Sequence, residues 1–280
     1  MGAADLALAA VEPLLAGQQA TGGWGYHRDV PDDCDSTAYA LAFLAGAGSA
    51  AADAVAAGTA RLLSQQRADG GFATYGDGRA IRAFMRLPAQ VPLDGWTSTH
   101  PEVTAAAGLA LAAVGARDPA ERAWACLAAL QHAEGGWQSY WWTNDLYATA
   151  LAVRLARTLG IASKEIGRAV EWCERGQTHC GAWRDGHSGA HSVFATALGL
   201  LVLGPDGDTE TVAQGRDWLL ATQRPDGGWD GEYALRIPPQ QCRNPAVHTA
   251  WQEDGLAAGA VIRDQGGCYV TATVLRALAE

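Results

Sequence analysis

A short element recurs five times along the chain, and it constrains the fold more than any other feature of the sequence. Each copy reads Gln, three residues, Gly, one residue, then Trp or Phe. Successive copies begin 48, 65, 46 and 46 residues apart, at Gln18, Gln66, Gln131, Gln177 and Gln223. Glycine between Ala- and Leu-rich segments is typical of a tight turn that ends one helix and positions the next. The repeat therefore predicts an array of helical hairpins.

The helical segments between these turns are of two kinds. Some carry almost no charge after their first turn, which predicts inner helices that are buried all round: 35–48, 102–115 and 189–203. Others keep charges at helical spacing, which predicts outer helices with one wet face: 51–66, 118–131, 162–176 and 209–223. Segments 4–17, 145–159 and 270–279 complete the array, and 145–159 is assigned to the inner layer although Arg154 and Arg157 interrupt it.

Alternating inner and outer helices predict an all-α fold, an α-α toroid (barrel) of about five hairpins, in which each unit buries its apolar face on its neighbours. We expect one domain over residues 1–280. Two connections, 73–101 and 230–268, are much longer than the others and enter inner helices. Such long connections usually serve as lids or binding loops, although variable surface loops are the alternative.

Composition and charge exclude several classes of protein. The formal net charge of −10 has the wrong sign for a chain that mainly binds nucleic acid. No stretch approaches the roughly 18 apolar residues of a membrane span, and no secretory signal is visible, so we expect a cytoplasmic protein with no transmembrane segment. The six cysteines form no CxxC pair, which disfavours a disulfide framework or a zinc ribbon.

The repeat resembles the QW motif of squalene-hopene cyclase and other class II terpene cyclases, and of the related protein prenyltransferase β subunits. In that family the Gln and Trp connect helix ends, so the resemblance implies a structural role for them here. The family's catalytic D-x-D-D-T-A stretch is matched by Asp33 to Ala38, except that Ser36 stands at the fourth place. The resemblance implies that Asp35 is the general acid that protonates an alkene or epoxide, with Asp33 as its neighbour in the catalytic cluster.

The catalytic role of Asp35 requires a carboxyl group that keeps its proton near neutral pH. Burial and the adjacent carboxylates of Asp33 and Asp32 would penalise ionisation of Asp35. The alternative is that Asp35 is an ordinary helix N-cap, because D-S-T-A-Y-A-L is also a typical helix start. A capping carboxylate is stabilised in its ionised form, so the two interpretations predict opposite protonation states.

Further polar and aromatic residues are expected around a central cavity, because they stand near the openings of inner helices or on the long connections. Each opening also carries a small Thr-Ala or similar pair, which would leave room in the centre. Aromatic faces in such a cavity stabilise carbocations without acting as nucleophiles, although core packing is the alternative role for Trp141 and Trp142. The predicted cavity residues are Trp96, His100, Glu102, Tyr140, Trp141, Trp142, Asp145, Tyr147, His191, Phe194, Trp251 and Tyr269.

Two weaker sites are also considered. Arg79, Arg82 and Arg86 stand on one helical side and could bind a diphosphate, although a solvated face is the more common explanation. Zinc ligand atoms are available from scattered residues without any typical ligand spacing: Asp32, Cys34, His100, His191, Cys242, His248 and Cys268. We therefore expect no cofactor, with zinc or magnesium as the alternative.

The sequence leads to three functional hypotheses. The first is a small class II terpene cyclase-like enzyme, an isomerase or lyase of natural product biosynthesis, that acts on an isoprenoid or polyene in an aromatic-lined cavity. A second chain or a second copy would close that cavity, unless the substrate is small. The second hypothesis is a zinc-dependent prenyltransferase-like subunit, and the third is a non-catalytic toroid that binds an isoprenoid or a protein.

Overall fold

The computed structural model describes the backbone of residues 3–280 and the side chains of residues 9–280. Its regular structure is mainly helical. Contacts divide the chain into two compact units, Met1–Ala129 and Leu130–Glu280, and each is described by itself. The expectation of a single domain stays a prediction. No helix among the described residues combines the length and apolarity needed to cross a membrane.

The first unit is built from helices that follow the predicted segments closely, except for α4. In chain order they are α1 (Ala3–Gly17), α2 (Cys34–Leu44), α3 (Ala52–Gln65), α4 (Arg79–Phe84), α5 (Pro101–Ala113) and α6 (Arg117–Leu130). Helix α2 packs along α5 and α3. Most of α5 is buried, as the lack of charge after its first turn predicts. Helix α2 differs from the prediction of complete burial, because Tyr39 and Phe43 are 47% and 41% exposed.

The second unit is arranged around one fully buried helix. Its helices are α7 (Asp145–Leu159), α8 (Lys164–Arg175), α9 (Val193–Leu203), α10 (Thr209–Ala221) and α11 (Cys268–Ala279). Every residue of α9 is buried, and α7, α8, α10 and α11 all pack against it. The guanidinium of Arg157 on α7 donates to three carbonyl oxygens at the end of α9, those of Leu201, Val202 and Leu203. This explains an arginine on a helix that is otherwise largely buried, because those carbonyls have no partner within α9.

Short strands accompany these helices in the second unit. Strands β1 (Trp183–Arg184) and β2 (His191–Ser192) form an antiparallel pair directly before α9. Strands β3 (Tyr233–Ile237), β4 (Gln252–Glu253) and β5 (Ala260–Arg263) form a sheet in the order β3-β5-β4.

The strands and α4 correct three details of the sequence prediction. Residues 189–192 precede α9 instead of belonging to it, because residues 191 and 192 pair with β1. The connection 230–268 contains the three-stranded sheet, and the connection 73–101 contains the short helix α4. Both long connections therefore hold regular structure that the predicted array of helices does not include.

The glutamine of the repeat joins its own turn to the following outer helix. Gln18 Nε2 donates to the carbonyl oxygens of Gly22 at 2.8 Å and of Ala54, in the first turn of α3, at 2.9 Å. These bonds give the glutamine the structural role that the resemblance implies, because they connect the turn to a helix. The same pair of bonds recurs at Gln66 with Gly70 and Pro119, at Gln131 with Gly135 and Glu165, and at Gln177 with Gly181 and Thr211.

The aromatic residue of each repeat is joined to an inner helix through a threonine. The backbone N–H of Trp24 donates to Thr37 Oγ1 at 3.0 Å, and its indole Nε1 donates to the Leu14 carbonyl at 2.7 Å. These threonines, expected only to leave space around a cavity, therefore accept the bond that closes each repeat. The first of these bonds recurs at Phe72 with Thr104, Trp137 with Thr149, Trp183 with Thr196 and Trp229 with Thr271.

Candidate active site

Asp33, and not Asp35, caps helix α2. Asp33 has extended backbone angles and accepts the Ser36 N–H at 2.7 Å through Oδ1. Its Oδ2 accepts the Ser36 hydroxyl at the same distance. The interpretation of Asp35 as the N-cap is therefore wrong, and the capping role belongs to Asp33.

Asp35 is the second residue of α2, where its carboxyl group does not cap the helix. The residue is half-buried, and its Oδ1 atom is shielded from water with no hydrogen-bond partner among the described residues. Burial raises the pKa of Asp35 well above its ordinary value, and the nearby carboxylates of Asp33 and Glu102 raise it further. The Asp35 carboxyl group therefore favours its protonated form, as a general acid must.

The two other carboxylates of this stretch have different environments. Burial raises the pKa of Asp33 to about 6, although the hydrogen bonds from Ser36 act in the opposite direction. Asp32 forms an ion pair with Arg61, with Oδ2 at 2.6 Å from Nε. The stretch from Asp32 to Asp35 therefore contains an ion-paired carboxylate, a capping carboxylate and a carboxyl group with an unsatisfied buried oxygen.

His100 lies at the start of α5 and is fully enclosed. Its Nε2 donates to the Gly95 carbonyl at 2.8 Å, which assigns the proton to that nitrogen, and its Nδ1 lies 2.9 Å from Thr74 Oγ1. Burial lowers the pKa of His100 to about 3, so the ring is neutral near pH 7. His100 therefore organises the start of α5, and Glu102 follows it in the first turn with no exposed surface.

A small cavity adjoins the acidic stretch in the first unit. Its volume is about 50 Å³, which suits water and is far too small for a polyene. Its lining includes Asp33 and Arg61, together with Thr74 and Tyr75. Asp35 is not part of that lining, so this cavity is a candidate site for solvent beside the acid cluster and not for the substrate.

Four of the predicted cavity residues form an aromatic cluster in the second unit. Trp142 stacks on Tyr147, with ring centroids 3.9 Å apart and an interplanar angle of 17°. Phe194 and Tyr269 lie 5.6 and 5.9 Å from the Trp142 ring. Tyr269 is 65% exposed, whereas Trp142 and Phe194 are buried. The cluster therefore brings together residues from α7, α9, α11 and the turn before α7, with π faces of the kind that stabilise cations.

Other predicted cavity residues of this unit lie around Arg236 on β3. Arg236 donates through Nε to the Tyr140 carbonyl at 3.0 Å and lies over the Trp251 ring at 5.7 Å. Tyr140 meets Trp141 edge-on, with centroids 5.0 Å apart. The Asp145 carboxylate accepts a backbone N–H from the preceding turn at 2.9 Å, and burial raises the pKa of Asp145. These contacts connect the turn before α7 to the sheet.

His191 is placed apart from the aromatic cluster. Its side chain is exposed on β2, where it lies 3.7 Å from the Cys180 sulfur and 6.4 Å from the Trp218 ring on α10. In the first unit, Trp96 is buried and lies 5.9 Å from the Tyr75 ring. That His191 and Trp96 contact a substrate stays a prediction.

The arginines of the predicted diphosphate site lie on and after α4. Arg79 forms an exposed ion pair with Asp77 at 3.0 Å. Arg82 donates to two carbonyl oxygens of its own connection, at 2.6 and 2.8 Å. Arg86 lies just after α4 with a positive φ of 53°. The contacts of Arg82 favour a role in holding its own connection together.

The possible metal ligands do not come together among the residues whose placement is described. Within that part of the chain, no three or more His, Cys, Asp or Glu side chains are grouped so that they could hold a metal ion. Asp32 is instead paired with Arg61. Burial raises the pKa of the Cys34 thiol, so this sulfur favours its protonated form, which is a poor metal ligand.

Sequence reasoning misses several residues that shape the site. It treats Ser36 only as a missing carboxylate, although Ser36 donates to both oxygens of Asp33. Glu232 accepts N–H bonds from Val193 and Phe194 at the start of α9, although it lies in the long connection. A signal for Ser36 exists, because a side chain three residues after an N-cap faces that cap. The bonds of Glu232 join distant segments and leave no local pattern.

Comparisons with known proteins agree on one family of enzymes. Residues 16–235 match the family model described as the squalene-hopene cyclase C-terminal domain. A drimenyl diphosphate synthase from Streptantibioticus cattleyicolor is 29% identical over 244 residues, which cover 81% of this chain and 42% of that protein. The chain therefore spans less than half the length of the curated relatives it matches.

Solved structures extend the similarity to nearly the whole chain. The type II terpene cyclase MstE from Scytonema superposes with a TM-score of 0.88 at 30% identity, covering 98% of this chain and 81% of that one. A variant of MstE in complex with geranylgeranyl dihydroxybenzoate, its substrate, gives a TM-score of 0.88 at 30% identity, with coverage of 98% and 80%. The predicted fold class, an all-α chain of the α-α toroid type, is confirmed by this similarity.

Proposed function

The chain belongs to the squalene-hopene cyclase C-terminal domain family, and on that premise we propose that it is a class II terpene cyclase-like enzyme in which Asp35 protonates an isoprenoid or polyene. The observation that carries the proposal is the environment of the Asp35 carboxyl group. Asp35 has an unsatisfied buried oxygen, and burial with two nearby carboxylates raises its pKa. An ordinary structural aspartate would be hydrogen-bonded and ionised.

The proposed reaction begins when the Asp35 O–H proton moves to an alkene carbon or an epoxide oxygen of the substrate. For an alkene, the π electrons form the new C–H bond, and a tertiary carbocation and the Asp35 carboxylate remain. Further double bonds of the substrate then attack the cation and form new C–C bonds. Loss of a proton from the last cation ends the sequence, so the product of a simple cyclisation is an isomer of its substrate. Loss of a diphosphate group in the same process would make the reaction that of a lyase.

Capping by Asp33 leaves the Asp35 carboxyl group available for this reaction. Because Asp33 accepts the Ser36 N–H, the Asp35 carboxyl group does not have to satisfy that donor. A carboxyl group that accepts no hydrogen bond from backbone N–H donors loses its proton less readily, even at a helix start where the dipole favours the anion. After proton transfer, burial of the resulting carboxylate favours its reprotonation from solvent.

The aromatic cluster around Trp142 supports the second half of the proposal. Its ring faces would stabilise a developing cation without adding to it, each by roughly 0.5–2 kcal/mol. MstE, a similar protein, has a geranylgeranyl-bearing substrate. We therefore propose a polyprenyl substrate, with a second chain or a second copy completing the enclosure where the substrate needs one.

The proposal is tested by incubating the purified chain with farnesyl and geranylgeranyl diphosphates and with geranylgeranyl dihydroxybenzoate, and by analysing products by mass spectrometry. We expect at least one cyclised product, and a loss of at least a hundredfold in its rate with Asp35→Asn, because general acid catalysis typically contributes about 10²–10⁴-fold. Asp53→Asn is the matched control, because Asp53 lies in the first turn of α3 and is exposed. Turnover by Asp35→Asn at the wild-type rate would contradict the assignment of the acid. Binding of these probes without any chemical change would favour the non-catalytic hypothesis.

A further inference from the structure

The motif at the start of α2 carries one carboxylate fewer than the family pattern, because Ser36 stands where that pattern has an aspartate. The Ser36 hydroxyl donates to Asp33 Oδ2 at 2.7 Å. This bond favours the ionised form of Asp33, but it brings no second charge close to Asp35. The motif by itself therefore opposes ionisation of Asp35 less than the family pattern does.

Thr74 joins the start of α2 to the start of α5. Its carbonyl oxygen accepts the Cys34 N–H at 3.0 Å, and its hydroxyl lies 2.9 Å from His100 Nδ1. Cys34 directly precedes Asp35, and His100 stands two residues before Glu102. Helix α2 also packs along α5. Asp35 and Glu102 therefore lie in the first turns of two neighbouring helices, and both helix starts are bonded to Thr74.

We propose that Glu102 supplies the carboxylate that the motif lacks and is the positioning residue that keeps Asp35 protonated for its reaction. This inference rests on the proposed function. Glu102 has no exposed surface, so water and salt screen its interaction with Asp35 only weakly. Two nearby carboxyl groups in such surroundings do not both ionise readily, and the pKa of Asp35 is raised by Glu102 as well as by Asp33.

The other charged and titratable groups nearby do not replace Glu102 in this role. Arg61 is paired with Asp32 at 2.6 Å. Arg67 donates to the Thr97 carbonyl. Burial keeps the His100 ring neutral, since it lowers the pKa of His100 to about 3. The neighbouring groups described around the two helix starts include Asp32, Asp33, Cys34, Arg61, Arg67, Tyr75 and His100.

The test compares the wild type with Glu102→Gln, Glu102→Asp and the double variant Ser36→Asp/Glu102→Gln, all in the full chain. The Asp35 carboxyl carbon is titrated by ¹³C NMR, with its signal assigned from its loss in Asp35→Asn, and the pH dependence of kcat is measured in parallel. We expect Glu102→Gln to lower the Asp35 titration midpoint by about one pH unit or more. The alkaline limb of the kcat profile should move by the same amount. Glu102→Asp should keep the Asp35 midpoint close to its wild-type value. In the Glu102→Gln background, Ser36→Asp should raise the midpoint back toward that value.

Different outcomes overturn this inference and the proposed function. Thermal unfolding first establishes that each variant is folded. If Glu102→Gln is not folded, Glu102→Asp is compared with the wild type instead: a small fall in the Asp35 midpoint is expected, because the shorter side chain moves the carboxylate, and no change would overturn the inference. An unchanged Asp35 midpoint in the folded glutamine variant overturns the inference while leaving the acid assignment standing. A fall in kcat that is equal at every pH, with no restoration by Ser36→Asp, would also overturn it, because a merely structural role gives that result. If Asp35→Asn keeps full turnover, the proposed function fails, whatever the NMR titration gives.

Discussion

Replacing Asp33 by Asn is expected to flatten the dependence of stability on pH. Burial raises the pKa of Asp33 to about 6 in the folded chain, against about 3.9 in an unfolded one. The folded state therefore binds this proton more tightly than the unfolded state does, and the unfolding free energy falls as the pH rises from about 4 to above 6. A difference of about two pKa units corresponds to about 3 kcal/mol between these limits.

The asparagine variant removes this titration while leaving the cap in place. Its side-chain oxygen can still accept the Ser36 N–H that Asp33 Oδ1 accepts at 2.7 Å. Urea unfolding followed by tryptophan fluorescence, at several pH values from about 4 to about 8, would measure the difference. We expect the fall in unfolding free energy over this range to be about 3 kcal/mol smaller in Asp33→Asn than in the wild type.

Asp53→Asn is again the matched control, since Asp53 is an exposed aspartate in the first turn of α3. It should follow the wild-type pH dependence. If Asp33→Asn loses as much stability over the same pH range as the wild type does, then Asp33 titrates normally in the folded chain. That result would refute the claim that burial raises the pKa of Asp33 in the folded chain.

Three further predictions concern the repeat, the aromatic cluster and the arginine connection. Thr196→Val should lower the unfolding free energy by roughly 1–3 kcal/mol, because it leaves the buried Trp183 N–H without its acceptor; an unchanged urea midpoint would contradict this. Tyr147→Leu should lower the cyclisation rate about tenfold and increase early-terminated products, since it removes the ring stacked on Trp142; an identical product profile by mass spectrometry would count against a cationic role. Arg82→Ala should lower the melting temperature without changing KM for a diphosphate substrate, because its guanidinium holds carbonyls of its own connection; a large rise in KM would restore the diphosphate site.

The repeat makes most of the helices predictable, because its effects are local and periodic. The five glutamines and the glycines four residues after them mark turns, and the charge pattern separates α5 and α9 from α8. A glycine in the turn is required at Gly22, where φ is 87° and a Cβ atom would lie 2.7 Å from the Ala57 carbonyl oxygen. Such constraints act within a few residues of the motif, so sequence alone reveals them.

The long connections are less predictable, because distant partners stabilise them. Strand β3 pairs with β5 and also contacts the turn before α7, where the Thr143 N–H donates to the Ala234 carbonyl at 2.9 Å. Arg236 adds hydrogen bonds to the same turn. No periodicity in 230–268 indicates these bonds, which explains why its strands escape a prediction from sequence.

The candidate site is predictable only in part. The motif identifies Asp35 and Asp33, but the typical helix start D-S-T-A-Y-A-L indicates Asp35 as the alternative N-cap, whereas Asp33 fills that role in the structure. Glu102 is expected from sequence only to line a cavity. Its electrostatic effect on Asp35 depends on the packing of α2 along α5, and a single sequence does not reveal which helices lie side by side.

The most direct test of the central claim is to run the reaction in deuterium oxide. If Asp35 starts the cyclisation of an alkene by proton transfer, it first exchanges its own proton with solvent, and each product molecule gains one carbon-bound deuterium. Mass spectrometry should then give a product that is heavier, by a single deuterium, than that formed in ordinary water, and Asp35→Asn should form it at least a hundredfold more slowly. A cyclised product that carries no deuterium, or the same labelled product at an equal rate from Asp35→Asn, would contradict the assignment of Asp35 as the acid.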